Sequence, residues 1–140
     1  MMKKKRFLFL LLAIIAVALG LAFALHYINR PAENVADMAA VAEIQADSLY
    51  ATYLSQERRG DSLYLNKILI VTGTVQQKGR SGPHFFIILS TGGQGGINCE
   101  INSADSSEVA NITTHQPVKI KGRCTGFLVD VNLTDGVLIK

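Results

Sequence analysis

Ile68-Leu69-Ile70-Val71-Thr72-Gly73-Thr74-Val75 opens the stretch whose reading decides the fold. It is β-branched, and Leu69, Val71 and Val75 share one parity, as a half-buried strand requires. Gly73 interrupts it, which predicts a bulge or a sharp bend. Gln77-Lys78-Gly79-Arg80-Ser81-Gly82-Pro83 is dense in turn residues and is expected to be a loop. His84-Phe85-Phe86-Ile87-Ile88-Leu89 reads as a second strand covered on both faces. Thr91-Gly92-Gly93-Gln94-Gly95-Gly96 reads as a flexible turn. Ile97-Asn98-Cys99-Glu100-Ile101 then alternates, with Ile97, Cys99 and Ile101 inward.

Next comes a helix, expected over about Ala104–Ile112. Ser103 is its N-cap, and Asp105 lies in its first turn, where a negative charge suits the helix dipole. Val118-Lys119-Ile120-Lys121-Gly122-Arg123-Cys124 alternates again, with its basic residues outward. A last strand from about Val129 puts Val129, Val131 and Leu133 on one face. Five strands with one helix between the third and fourth is the order of the OB-fold, a partly open Greek-key barrel. The chain is therefore read as mainly β, with the barrel over residues 67–140.

The preceding residues follow different patterns. Lys3-Lys4-Lys5-Arg6 precedes an uncharged run from Phe7 to Leu25, long enough to cross a bilayer core as a helix. Basic residues on that flank hold the N-terminal end in the cytoplasm and place the barrel outside it. Residues 1–30 are read as a membrane anchor, with the chain in the membrane through residues 7–28. The pattern Ala22-Phe23-Ala24 also fits a cleaved signal peptide. No cysteine directly follows the run, which argues against a lipid-modified N-terminus. Residues 31–66 are read as the linker Pro31-Ala32-Glu33-Asn34 and a helical segment packing on the barrel. That segment runs over about Ala39–Glu57, with Val41, Ile44, Leu49, Tyr53 and Leu54 as its apolar face. Asp47-Ser48-Leu49-Tyr50 recurs as Asp61-Ser62-Leu63-Tyr64, with Gly60 expected as a helix stop and the second copy expected to start a short helix.

Charge narrows the ligand. The whole chain is +3, but beyond Pro31 nine Lys or Arg face eleven Asp or Glu. The exported part is thus mildly acidic, and the high pI belongs to the membrane flank.

Tyr64-Leu65-Asn66-Lys67, Val71-Thr72-Gly73-Thr74-Val75, Ile120-Lys121-Gly122-Arg123-Cys124-Thr125-Gly126-Phe127 and Asp130-Val131-Asn132-Leu133 together resemble the bacterial tRNA_anti-like family of small exported or membrane-tethered OB-fold proteins. The resemblance covers roughly residues 40–140. It implies an OB-fold and, through the family's name, nucleic-acid binding. The family often has a further cysteine in its last strand, where this chain has Asp135-Gly136, a departure that bears on any carried-over cysteine pairing. Anchor and resemblance together place the chain in the bacterial inner membrane, with one pass and the barrel in the periplasm.

Candidate ligand contacts follow from OB geometry, in which the loops joining strands one to two and four to five flank the binding face. They are Lys78, Arg80 and Phe85 near the first loop, Lys119, Lys121 and Arg123 in an outward row, and Phe127 near the second loop. Phe127 is either a docking platform or a plug that closes the barrel end. Lys78, Arg80 and Phe127 are expected on one side of the barrel. Cys99 and Cys124 share the inward parity, and a disulfide and a pair of buried free thiols both fit. His26, His84 and His115 are not grouped into a base or a ligand set, so no metal, cofactor or catalytic residue is expected. The glycine-rich turn lacks the lysine of a phosphate-cradling loop. The expected function is a membrane-tethered binding module without catalysis, for a protein or cell-envelope ligand. Single-stranded nucleic acid is the alternative.

Overall fold

The computed structural model describes residues 2–28, 34–101 and 106–139. Ser103, Ala104, Asp105 and the linker Pro31-Ala32-Glu33 lie outside the described residues. The chain divides into two units, Met1–Glu33 and Asn34–Lys140. In the first, helix α1 (Met2–Ile28) holds an apolar stretch, Arg6–Ile28, of 23 residues. At the α-helical rise that stretch is about 34 Å long, against a bilayer core of ~30 Å.

The second unit begins with a 3₁₀ turn, Val35–Asp37, capped by the Asn34 side chain. Strand β1 (Ala42–Gln45) follows, then helices α2 (Ala46–Ser55) and α3 (Glu57–Tyr64). The barrel itself is β2 (Ile68–Ser81), β3 (His84–Leu89), β4 (Ile97–Ile101), the short helix α4 (Ser106–Asn111), β5 (Pro117–Phe127) and β6 (Val131–Ile139). The sheet runs β1-β2-β3-β4-β6-β5, and β5 pairs back onto β2. Strands β2 to β6 thus close a five-stranded barrel in OB order, with β1 outside it. Closure leaves the barrel strands no free edge.

Parity explains the core. Val71, Val75, Ile87, Leu89, Ile97, Cys99, Ile101, Ile120, Cys124, Val131 and Leu133 alternate along their strands, and all are buried in one cluster. The ends of the barrel are filled from outside. Leu49, Tyr50 and Tyr53 of α2 enter the core at one end; Val109 and Ile112, from α4 and just after it, are also buried.

Several sequence expectations are corrected. The stretch 77–83 is not a loop: β2 continues to Ser81 and pairs with β3 as a hairpin. Only Gly82-Pro83 turn, with Gly82 at a φ of 59° that its missing Cβ permits. The bulge lies between Val75 and Gln77 instead of at Gly73. Gly73 is needed because a Cβ there would come within 2.9 Å of the Ala46 Cβ. The helical segment starts later than expected, because Ala42–Gln45 pairs in parallel with Leu69–Thr72 as β1. Val41 and Leu54 are exposed. Gly60 does not stop a helix; it sits inside α3, where a Cβ would collide with the Tyr53 ring. The second Asp-Ser-Leu-Tyr copy ends α3, and Leu63 is exposed where Leu49 is buried. Val129 is exposed too, and β6 begins at Val131.

Candidate functional site

The outer face of the barrel is laid out by register. Gly79, Phe86 and Glu100 form one cross-strand row on β2, β3 and β4. Gln77, Ile88, Asn98 and Asn132 form the next, reaching β6. Ser81 and His84 form a third toward the hairpin tip. Neighbouring strands lie about 4.8 Å apart and rows about 7 Å apart. Phe86 stands directly opposite Gly79, and a Cβ on Gly79 would lie 2.6 Å from its ring. The ring therefore fills the space that a side chain on Gly79 would take, and it stays half-buried on this face. Beside it, His84 Nδ1 approaches Glu100 Oε1 at 3.1 Å. Asn98 Nδ2 donates to Asn132 Oδ1 at 3.2 Å, and Asn132 Nδ2 donates to the Asp130 carbonyl. No Lys or Arg occupies these three rows.

The turn Thr91–Gly96 borders this face and is held in place, which corrects the expected flexible turn. Gly92 N–H donates to Asp47 Oδ1, Gly95 N–H to the Tyr50 hydroxyl and Gly96 N–H to Asp130 Oδ1. Its glycines allow close approach: a Cβ on Gly93 would meet the Tyr50 ring at 2.4 Å, and one on Gly95 the Val129 carbonyl at 2.3 Å.

The basic candidates are spread over the molecule. Lys78 and Arg80 face the other side of the hairpin from Phe86. Lys78 Nζ donates to the carbonyls of Val109 and Ala110, capping the C-terminal end of α4. Arg80 Nε donates to the Gly82 carbonyl, and its guanidinium lies 5.5 Å from the centre of the Phe85 ring. Phe85 itself packs against the core. The structure therefore joins Lys78, Arg80 and Phe85 around one small cavity of about 230 Å³. Lys119, Lys121 and Arg123 do point outward from β5, and each is engaged by another part of the chain. Lys119 Nζ lies 2.6 Å from Glu43 Oε1. Lys121 is only 9% exposed and donates to the Ala36 carbonyl at 2.9 Å. Arg123 donates to the Asn66 carbonyl and to the Met38 sulfur.

Phe127 is a plug. Its ring stacks on Tyr53 at 5.7 Å and meets the edge of Tyr50 at 5.8 Å. It is not beside Lys78 and Arg80, which corrects that expectation. Phe127 pairs with Val131, which pairs with Ile97, whereas Arg80 pairs with Phe85, which pairs with Ile101. Those are opposite ends of the barrel. Cys99 and Cys124 are both buried and free, the second of the two alternatives that their shared parity left open. Each pairs with Leu133, from opposite sides of β6. Two strand spacings separate them by roughly 9–10 Å, beyond the ~7 Å limit for a disulfide. Burial pushes the Cys99 thiol well above its ordinary range. Burial, and then a 3.4 Å hydrogen bond between its hydroxyl and Cys124 Sγ, push the Tyr53 phenol up. A cavity of about 640 Å³ forms a groove between α4 and the β5–β6 ends, lined partly by Ile112, Val118 and Leu138. Among the described residues no group of three His, Cys, Asp or Glu is placed to hold a metal.

The sequence profile of the tRNA_anti-like family matches residues 1–137. The chain belongs to this family. Comparison of the tRNA_anti-like chain with curated proteins gives no match. Among solved structures it is similar to a putative nucleic acid-binding lipoprotein from Klebsiella pneumoniae. That match has a TM-score of 0.58 at 16% identity, covering 79% of this chain and all of the other. A putative aspartyl-tRNA synthetase from Leishmania major matches at 13% identity and a TM-score of 0.47, over 66% of this chain and 19% of that one. An OBody bound to hen egg-white lysozyme matches at 16% identity and a TM-score of 0.39, over 52% of this chain and 93% of that one. At its identity the Klebsiella pneumoniae match shows the fold alone. Sequence reasoning named Phe85, and not its neighbour Phe86, as the candidate contact. Parity within His84–Leu89 could have separated them, because Phe86 shares the outward parity of Asn98 and Glu100.

Proposed function

We propose that this tRNA_anti-like chain is a membrane-tethered, extracytoplasmic OB-fold binding module without catalytic activity, and that it meets its ligand on the outer face of β3 and β4. The observation that carries this reading is the contrast between the two sides of the barrel. On the outer face of β5 the chain before α2 buries Lys121 and pairs with Lys119, whereas Phe86, Asn98 and Asn132 stay partly exposed on the other face. OB-folds bind on this second face. The apolar helix α1, with Lys3-Lys4-Lys5-Arg6 at its N-terminal flank, supports tethering to the inner membrane with the barrel outside the cytoplasm. The thiols of Cys99 and Cys124 are buried, so neither is placed to act as a nucleophile. Protease treatment of spheroplasts tests the placement. The barrel is expected to be digested from outside while the chain sediments with membranes. A shortened soluble form in the periplasm would show instead that α1 is removed as a signal peptide.

A second reading, single-stranded nucleic-acid binding, is favoured by the family's name and by the flat Phe86 ring, on which a base could stack. Phosphate contacts require accessible cations, and Lys78, Lys119 and Lys121 are held on internal partners. The salt dependence of oligonucleotide binding separates the readings. A steep fall in affinity with rising salt would support this second one.

A further inference from the structure

Phe86, Glu100, Asn98 and Asn132 occupy adjacent positions on one face, and their chemistry selects a ligand. We propose that this face is an oligosaccharide site for a neutral or N-acetylated glycan, with Phe86 as the stacking platform and Asn98, Asn132 and Glu100 as the hydrogen-bonding groups. The inference rests on the reading of this face as the module's binding surface, and it names the ligand class.

The ring comes first. Phe86 packs against Gly79 and stays partly exposed, so a portion of its ring is accessible on this face. A flat aromatic ring offers its electron-rich face to the polarised C–H bonds of a sugar ring. The hydrogen-bonding groups come next. Asn98 spends one amide hydrogen on Asn132. A carboxamide has two donor hydrogens and a carbonyl acceptor, so Asn98 retains one donor and its oxygen for hydroxyl or acetamido groups. Glu100 holds His84 through Oε1 and has a second oxygen to accept from a hydroxyl. Both amides are half-buried, which limits the side-chain freedom lost on binding.

Charge then separates glycans from polyanions. The three rows carry one carboxylate, one imidazole and no Lys or Arg. Nucleic-acid affinity depends on cations that displace counterions from phosphates, and this face supplies none. A neutral glycan needs no such charge. The face is about 14 Å across four strands and of similar length along them, which suits a short oligosaccharide.

The test uses the full chain in nanodiscs of zwitterionic lipid, titrated calorimetrically with chitotetraose, maltotetraose and octathymidylate at low and high salt. At least one saccharide is expected to bind, with an affinity that changes little with salt. Phe86→Ala is expected to weaken it about tenfold. Asn98→Ala and Glu100→Gln are expected to weaken it too. Glu100 is exposed, so Glu100→Gln keeps the test valid if Phe86→Ala fails to fold. Failure of both saccharides to bind overturns the proposal. Saccharide binding that survives all three variants also overturns it and moves the site off this face. Octathymidylate binding that is lost in Phe86→Ala, with no saccharide bound, overturns the glycan assignment while leaving the face as the binding surface.

Discussion

Lys121 has the outward parity of a ligand contact, yet its ammonium sits under the 3₁₀ turn, 2.9 Å from the Ala36 carbonyl. A charge-assisted hydrogen bond at a nearly buried site is worth about 1.5–3 kcal/mol. Lys121→Ala is therefore expected to lose about that much stability in urea unfolding and to leave ligand affinity unchanged. An unaltered unfolding midpoint would show the covering segment to be absent in solution. Phe127 makes a similar case. Phe127→Ala should cost about 2–3 kcal/mol, somewhat less than the ~3–5 kcal/mol of a fully buried phenylalanine, because its ring is half-buried. Loss of binding without loss of stability would return it to a docking role. Cys99 and Tyr53 set an alkaline limit. Both groups hold their protons more tightly in the folded chain than in the unfolded chain. Below about pH 8 both states keep these protons, and the stability they support is fully present. Above that pH the unfolded chain releases them first, so stability falls as pH rises. The melting temperature should decline from about pH 8 upward, and the double variant Cys99→Ala, Tyr53→Phe should decline less steeply. Identical slopes for the two proteins would remove these groups as the cause.

Among the elements, the glycine-rich turn Thr91–Gly96 departs most from its sequence appearance. Its composition suggests mobility, yet Asp47, Tyr50 and Asp130 each bind one of its backbone amides. A Cβ on Gly92 would find only Asp47 Oδ1, at 4.0 Å, while one on Gly95 would strike the Val129 carbonyl. Gly95→Ala should thus destabilise by about 1–3 kcal/mol, and Gly92→Ala by less than about 0.5 kcal/mol. Equal effects in thermal unfolding would mean that the turn does not pack as described. The barrel strands were legible in the sequence because alternation of apolar and polar residues is a local signal. The hairpin extension was not legible, since Gly79, Gly82 and Pro83 outweighed the pairing that only a partner strand reveals. Strand β1 is four residues long and pairs in parallel with a distant segment, so nothing local separates it from the start of α2. The site was half legible for the same reason. Parity placed Asn98 and Glu100 outward, and Lys119, Lys121 and Arg123 outward as well. Engagement of the basic row by other parts of the chain, and the packing of Phe86 against Gly79, depend on tertiary packing and register.

At the scale of the molecule, the closed barrel presents two outer surfaces of different character. On β5 the cations are held by partners within the chain, Lys119 by a carboxylate and Lys121 by a carbonyl. On β3, β4 and β6 a ring, two amides and a carboxylate share one outer face whose cross-strand rows hold no Lys or Arg. That division is the central claim. Mapping backbone amide chemical shifts of the full chain in nanodiscs, as chitotetraose and then octathymidylate are added, tests it most directly. The account predicts that the shifted amides cluster at Phe86, Ile88, Asn98, Glu100 and Asn132. Shifts centred on Lys119, Lys121 and Arg123, or on the groove at Ile112 and Leu138, would contradict it.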